Sequence, residues 1–216
     1  MGIPPEYTKH RLDLFATPLW RYEYRGSEDL LKKLTEGAYK CAENLPSEKI
    51  SNQGGYHSKV FDWSKFLPEG QEYINDILND LLSDKPATST NIEWWFNINK
   101  KDDWNTAHVH PYNQLVLIWY LTDSFNKLKL QHPNAYNRYF LDSMISEDNL
   151  NPDIPNDNIR IEANKGDIVI FPADIFHSVM SHDKDEDRVC ISMNISFARL
   201  VDPDDYVSKP IVLDNQ

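Results

Sequence analysis

Three histidines in this chain have the types and spacing of metal ligands: His108, His110 and His177. His108 and His110 flank Val109 in a stretch, Ala107–His110, that reads as a strand. Side chains at i and i+2 of a strand share a face, so both imidazoles can converge on one point. Imidazole suits iron, zinc, copper and nickel. His177 closes the segment GDIVIFPADIFH, just past a strand that follows a turn. A pair on one strand and a third histidine from a distant strand end put three ligands on one face of an ion, and leave the opposite face open. A bare His-x-His is weak alone. Joined to Gly166, Pro172 and His177 on a β-rich chain, it reads as a metal site. His10, His57, His132 and His182 lack such a context and read as surface or packing residues.

The elements that must position these residues fall into two halves. SEDLLKKLTEGAYKCAENL places Leu30, Leu31, Leu34, Ala38 and Cys41 on one helical face. Ser27 is a suitable N-cap, with Glu28 and Asp29 in the first turn. EGQEYINDILNDLLSD predicts a second helix with Tyr73, Ile74, Ile77, Leu78, Leu81 and Leu82 on its apolar face. SNQGGYHSKVFDW between them is loop-like, and residues 11–24 suit an extended opening segment. After Lys85-Pro86 the pattern becomes β. Strands are predicted at Asn91–Asn99, Ala107–His110, Gln114–Thr122, Leu128–Gln131, Ile159–Ala163, Asp167–Phe171 and Arg188–Phe197. Asn164-Lys165-Gly166 is a hairpin-type turn joining two of them. The polar stretch Asp142–Asn158 has the length of a functional lid or a disordered loop. Two helices followed by about seven strands predict helices packed outside a β-sandwich or barrel.

Composition narrows the function. A chain of 216 residues suits one domain with a sizeable core. Hydrophobic residues at 40% and aromatics at 12% are enough to drive folding. Trp94, Trp95, Trp104 and Trp119 read as core residues rather than cavity walls. The net charge of −12 and the absence of a basic stripe argue against nucleic acid and against an anionic membrane surface. Acidic runs at Asp183–Asp187 and Asp202–Asp205 read as solvated loops. Cys41 and Cys190 define no disulfide framework. The N-terminus has no apolar core of signal-peptide length, and the longest apolar run, Leu115–Leu121, is too short to span a bilayer. The expectation is a soluble, cytoplasmic protein. Nothing in the chain fixes its oligomeric state; dimers are the commonest assembly, so a homodimer stays open.

From Asn91 to Phe197 the chain resembles the 2-oxoglutarate/iron(II) oxygenases of the prolyl-hydroxylase-like group. Their pattern is His-x-Asp/Glu, a strand with a Tyr-Leu pair, a distal histidine, then an arginine. His108-Val109-His110-Pro111 stands at the first position and Ile118-Trp119-Tyr120-Leu121 at the second. Phe171-Pro172 with His177 matches the distal histidine, and Arg188 opens RVCISMNISF. DLFATPLW, SNQGGYHS and NTAHVHP are similar to a branch of uncharacterised oxygenases of bacteria and phages. The resemblance implies a double-stranded β-helix (a jelly roll, cupin-like), mainly β with flanking helices. It covers nearly the whole chain, read as one domain over 1–216, with an extended and helical support over 1–86 and the β-helix core over 87–200.

The resemblance also implies the chemistry. Iron(II) would sit between His108, His110 and His177. 2-Oxoglutarate would chelate it, with its far carboxylate held by Arg188 in a bidentate fork. Tyr120 and Ser192 would add hydrogen bonds to that carboxylate. Oxygen would then convert 2-oxoglutarate to succinate and carbon dioxide while a small-molecule or peptide substrate is hydroxylated, with the Asp142–Asn158 stretch a candidate lid. One departure stands out: relatives place a carboxylate where this chain has His110. Either His110 ligates, or it stands beside the metal while water or another carboxylate, such as Asp103, takes the position. Two rival readings remain. His108, His110 and Gln114 imitate the cupin pattern His-x-His-x3-Glu, which would make this a metal-binding cupin without 2-oxoglutarate. A degenerate, non-catalytic oxygenase domain is the other. Arg188 discriminates, since only the oxygenase needs a cation on that strand.

Overall fold

Two helices form where apolar spacing predicts them. In the computed structural model, which describes residues 17–82, 89–133 and 158–198, α1 spans Glu28–Asn44 and α2 spans Pro68–Leu81. The Ser27 hydroxyl accepts from Asp29 N at 3.1 Å and caps α1. Pro68 starts α2, where its missing N–H costs nothing.

The strands in chain order are β1 (Trp20–Tyr22), β2 (Asn52–Gln53), β3 (Tyr56–His57), β4 (Phe61–Asp62), β5 (Ser89–Asn99), β6 (Trp104–His108), β7 (Leu115–Tyr120), β8 (Leu128–Gln131), β9 (Asn158–Ile161), β10 (Ile168–Pro172), β11 (His177–Val179) and β12 (Arg188–Ala198). Among the described residues they make two antiparallel sheets. The larger runs β1-β10-β7-β12-β5-β3, with β4 also on β5; the smaller runs β2-β6-β11-β8-β9. Side chains of both sheets meet in an inner core that includes Val116, Tyr120, Leu128, Leu130, Val169 and Phe171. This is the double-stranded β-helix that the resemblance implies, with both helices outside it.

β5 and β12 are long because they are buried on both faces. On β12, Val189, Ile191, Met193 and Ile195 pack outward with Trp94, Phe96 and Ile98 of β5 and with Leu31, Leu34 and Ile74 of the helices. The alternate residues Arg188, Cys190, Ser192 and Asn194 therefore point inward. The usual alternation is inverted: the polar side chains face the interior.

Several boundaries differ from the sequence reading. β6 ends at His108, so Val109 and His110 lie beyond the strand; His110 N instead donates to Ala173 O at 2.9 Å. The Asn164-Lys165-Gly166 turn is not a hairpin. It carries the chain from β9 in the small sheet to β10 in the large one, with Gly166 at φ 92°. Segments 20–22 and 52–62 supply short strands to both sheets. At Gly55, φ 60°, a Cβ would lie 2.8 Å from Ile98 O. Only glycine lets the chain turn there from β2 to β3, between the sheets.

The extended reading of 11–24 is met by β1, with 11–16 outside the described residues. His10, Asp202–Asp205 and, up to residue 157, the Asp142–Asn158 stretch also lie outside them. Asp183–Glu186 are exposed. Cys41 and Cys190 are both free. Among the described residues no helix is long and apolar enough to cross a membrane.

Candidate metal and cosubstrate site

β6 and β11 are neighbours in the small sheet, and His108 pairs directly with His177. Opposed residues of an antiparallel pair share a face, which brings the two rings within 4.3 Å, centroid to centroid. His110 reaches the same point from the loop past β6. One ring nitrogen from each of His108, His110 and His177 lies within 4.8 Å of the others. Convergence thus comes from cross-strand pairing and a loop, not from an i, i+2 strand pair.

Each ring is oriented by its other nitrogen. Nδ1 of His108 donates to Thr106 O at 2.7 Å, and Nδ1 of His177 to Ile175 O at 2.9 Å. Nδ1 of His110 donates to Asn194 Oδ1 at 2.6 Å. Every Nε2 therefore carries a lone pair. Burial lowers the pKa of all three: His110 to about 4, His177 to about 3, and His108 in the same direction. All are neutral near pH 7, the form that binds metal. Yet His110 Nε2 and His177 Nε2 lie 3.2 Å apart. Two acceptors facing each other at that distance repel unless a cation lies between them. Two nitrogens each about 2.1 Å from one ion stand roughly 3.0–3.4 Å apart across right-angle to tetrahedral geometries. The donor set fits a metal.

Arg188 is 1% exposed. Its Nη1 donates to Asn99 Oδ1 at 3.1 Å and approaches Cys190 Sγ at 3.6 Å, while Nε and Nη2 have no partner among the described residues. The guanidinium lies 5.2 Å from the Tyr120 ring, and the buried Tyr120 hydroxyl is also unpartnered. Arg188 therefore does not pair with the acidic run before it. A buried cation without a carboxylate is costly, and this one presents open donors suited to an anionic group. Ser192 Oγ accepts from Asn97 Nδ2 at 2.9 Å and keeps its own hydrogen to donate. Arg188, Ser192 and the three histidines line one cavity of about 230 Å³.

Sequence reasoning missed the amides. Asn99 Nδ2 donates to Asn105 Oδ1 at 3.0 Å, and Asn105 Nδ2 to Ser51 Oγ at 3.1 Å. This chain fixes which end of Asn99 faces Arg188. Asn194 was also missed. The signal was there: polar residues alternating with Ile, Val and Met along RVCISMNISF. Trp94 and Trp119 are core, as expected. Trp95 instead lines the cavity and stacks on His110, and Trp104 is 45% exposed. His132 is half-buried, and His182 packs inside with Nε2 donating to Asn99 O at 3.1 Å. His57 is no surface residue; it is buried and lines the cavity. Asp103 is engaged by Lys100 N at 2.7 Å, and Gln114 by Phe197 N at 2.9 Å. Among the described residues, Asp103 does not join the three histidines.

Residues 93–194 match the family described as "Putative 2OG-Fe(II) oxygenase". That span covers the histidines, Tyr120, Arg188 and Ser192. Over that span, just under half of its length, the chain is similar to the 2-oxoglutarate/iron(II) oxygenases. Among solved structures it is similar to a prolyl-4-hydroxylase of Pseudomonas putida, at TM-score 0.53 and 12% identity over 86% of this chain and 94% of that one. It is also similar to the viral collagen prolyl hydroxylase of Paramecium Bursaria Chlorella virus-1, solved with 2-oxoglutarate, at 0.54 and 12% over 84% and 96%. A third is HygX of Streptomyces hygroscopicus, solved with nickel and 2-oxoglutarate, at 0.57 and 10% over 83% and 83%. At these identities the likeness is one of fold. No curated protein sequence matches the chain.

Proposed function

We propose that this single-domain chain hydroxylates a small-molecule or peptide substrate, with His108, His110 and His177 holding iron(II) and Arg188, Tyr120 and Ser192 holding 2-oxoglutarate. The observation that carries the reading is the 3.2 Å approach of His110 Nε2 to His177 Nε2, with both Nδ1 atoms committed to carbonyl-type acceptors. It favours His110 as a ligand in place of the usual carboxylate.

Bound iron(II) supplies oxygen activation. The chain's own residues do the rest. The three imidazoles hold the ion on one side. The open Nε and Nη2 donors of Arg188 take the far carboxylate of 2-oxoglutarate, and the Tyr120 hydroxyl and Ser192 add donors in reach of the same region. The inner core of Val116, Ile118 and Val169 keeps water away from the reacting centre. The net reaction turns substrate C–H, 2-oxoglutarate and O₂ into substrate C–OH, succinate and CO₂.

Incubating the iron(II)-loaded protein in air with carboxyl-labelled 2-oxoglutarate tests this. Labelled CO₂ and succinate should form in equal amounts, slowly even without substrate, with one ¹⁸O atom from ¹⁸O₂ entering succinate. His177→Ala should abolish both. Wild-type turnover no higher than that of the variant would sink the reading.

A further inference from the structure

One buried histidine in the cavity is not used by the metal group. His57 lies in β3 and pairs with Asn97 of β5, so the two side chains share the inward face. Its Nδ1 donates to Ser58 O at 2.6 Å. Nε2 is therefore an acceptor, and no described residue donates to it. The ring is fixed nearly parallel to Trp95, with centroids 5.5 Å apart and planes at 16°. Trp95 in turn stacks on His110 at 5.7 Å and 15°. His57 thus presents one oriented acceptor beside the metal histidines without joining them.

The surrounding wall decides what that acceptor can meet. Ile50 and Val60, 66% and 48% exposed, stand at the open side of the cavity, and the nearby polar side chains are neutral, Ser51 and Asn113. Among the described lining residues Arg188 alone is ionised at neutral pH, and the proposed function assigns it to 2-oxoglutarate. A charged group entering here would lose its water and find no counter-ion.

We infer that His57 Nε2 and the Ile50–Val60 mouth form the prime-substrate subsite, which takes an uncharged group bearing an O–H or N–H donor on an apolar stem. The inference rests on the proposed metal and cosubstrate site. Trp95 supplies the flat wall and His57 the single polar test. A site built to hydrogen-bond a donor rejects analogues that lack it far more strongly than a greasy pocket rejects an extra methyl.

The test uses the full chain with iron(II) and 2-oxoglutarate under anaerobic conditions, where the visible charge-transfer band reports the metal's surroundings. Four probes share one apolar stem: isobutyramide, N,N-dimethylisobutyramide, isobutyrate and isobutylammonium. Isobutyramide should shift the band saturably. The dimethyl amide and both ions should bind at least roughly tenfold more weakly. His57→Phe should keep the 2-oxoglutarate band and lose the amide response, while His57→Gln, which retains an acceptor, should restore part of it. Equal binding of the ions, an unchanged amide response in His57→Phe, or no response to any probe would overturn the inference and leave the proposed function standing. If the 2-oxoglutarate band itself never forms, the proposed function fails and the subsite falls with it.

Discussion

Asn194 accepts the Nδ1–H of His110 at 2.6 Å from the same strand that opens with Arg188. One strand thus carries both the buried Arg188 and the amide oxygen that orients the His110 ring. Asn194→Ala should leave the fold intact and weaken metal binding by roughly 10- to 100-fold, the usual cost of removing a partner that orients a ligating histidine. Titration of the metal-free protein with zinc or iron(II) reads this; an unchanged affinity would remove Asn194 from the site.

Arg188 is buried with two nitrogens unpartnered among the described residues, so binding and folding can be tested apart. Arg188→Met should lower 2-oxoglutarate affinity by roughly 100-fold or more. Without 2-oxoglutarate, its melting temperature should equal or exceed that of the wild type, because an apolar replacement removes an unpaired buried charge. A large loss of stability in the variant would mark Arg188 as structural.

Asn99 joins Arg188 to the Asn105–Ser51 amide chain. Asn99→Ala should raise the dissociation constant for 2-oxoglutarate by roughly tenfold, the scale of one hydrogen bond to a charged group, with metal affinity unchanged. Equilibrium titration of each ligand separates the two effects.

The metal-free protein should lose stability on acidification. His110 and His177 have folded pKa values of about 4 and about 3, below the ordinary 6.5. Between those values and 6.5 the unfolded chain binds more protons, so stability falls as pH falls. Above 6.5 these groups contribute no pH dependence. Denaturant unfolding at pH 7, 6 and 5 should show a progressive loss of a few kcal/mol at most, since one pKa unit is about 1.4 kcal/mol. A flat profile would mean that the rings are not buried as neutral groups.

The sequence made the helices and the long strands legible because apolar periodicity follows directly from burial. It also made the converging side chains legible, since His108, His110, His177 and Arg188, which line one cavity, are distinctive at their spacing. It misled where a local rule was stretched. The i, i+2 argument for His108 and His110 failed because β6 stops at His108, and the site closes through the pairing of His108 with His177. The Asn164–Gly166 turn looked like a hairpin because turn residues specify a bend, not which sheet the next strand joins. The short strands β2 and β3 were invisible at two residues each. With them went the placement of His57, which only Gly54, Gly55 and the register with Asn97 bring to the cavity. Asn99, Asn105 and Asn194 carry their meaning in three-dimensional contacts between β5, β6, β12 and the 109–110 loop, which no local pattern encodes.

The most direct test of the three-histidine, one-arginine site is the anaerobic spectrum of the protein with iron(II) and 2-oxoglutarate. The wild type should develop a weak visible charge-transfer band at one equivalent of each. The band should vanish in His177→Ala and in His110→Ala, and Arg188→Met should require roughly 100-fold more 2-oxoglutarate to reach it. A band of full strength in His110→Ala would remove His110 from the metal. No band in the wild type would contradict the assigned site altogether.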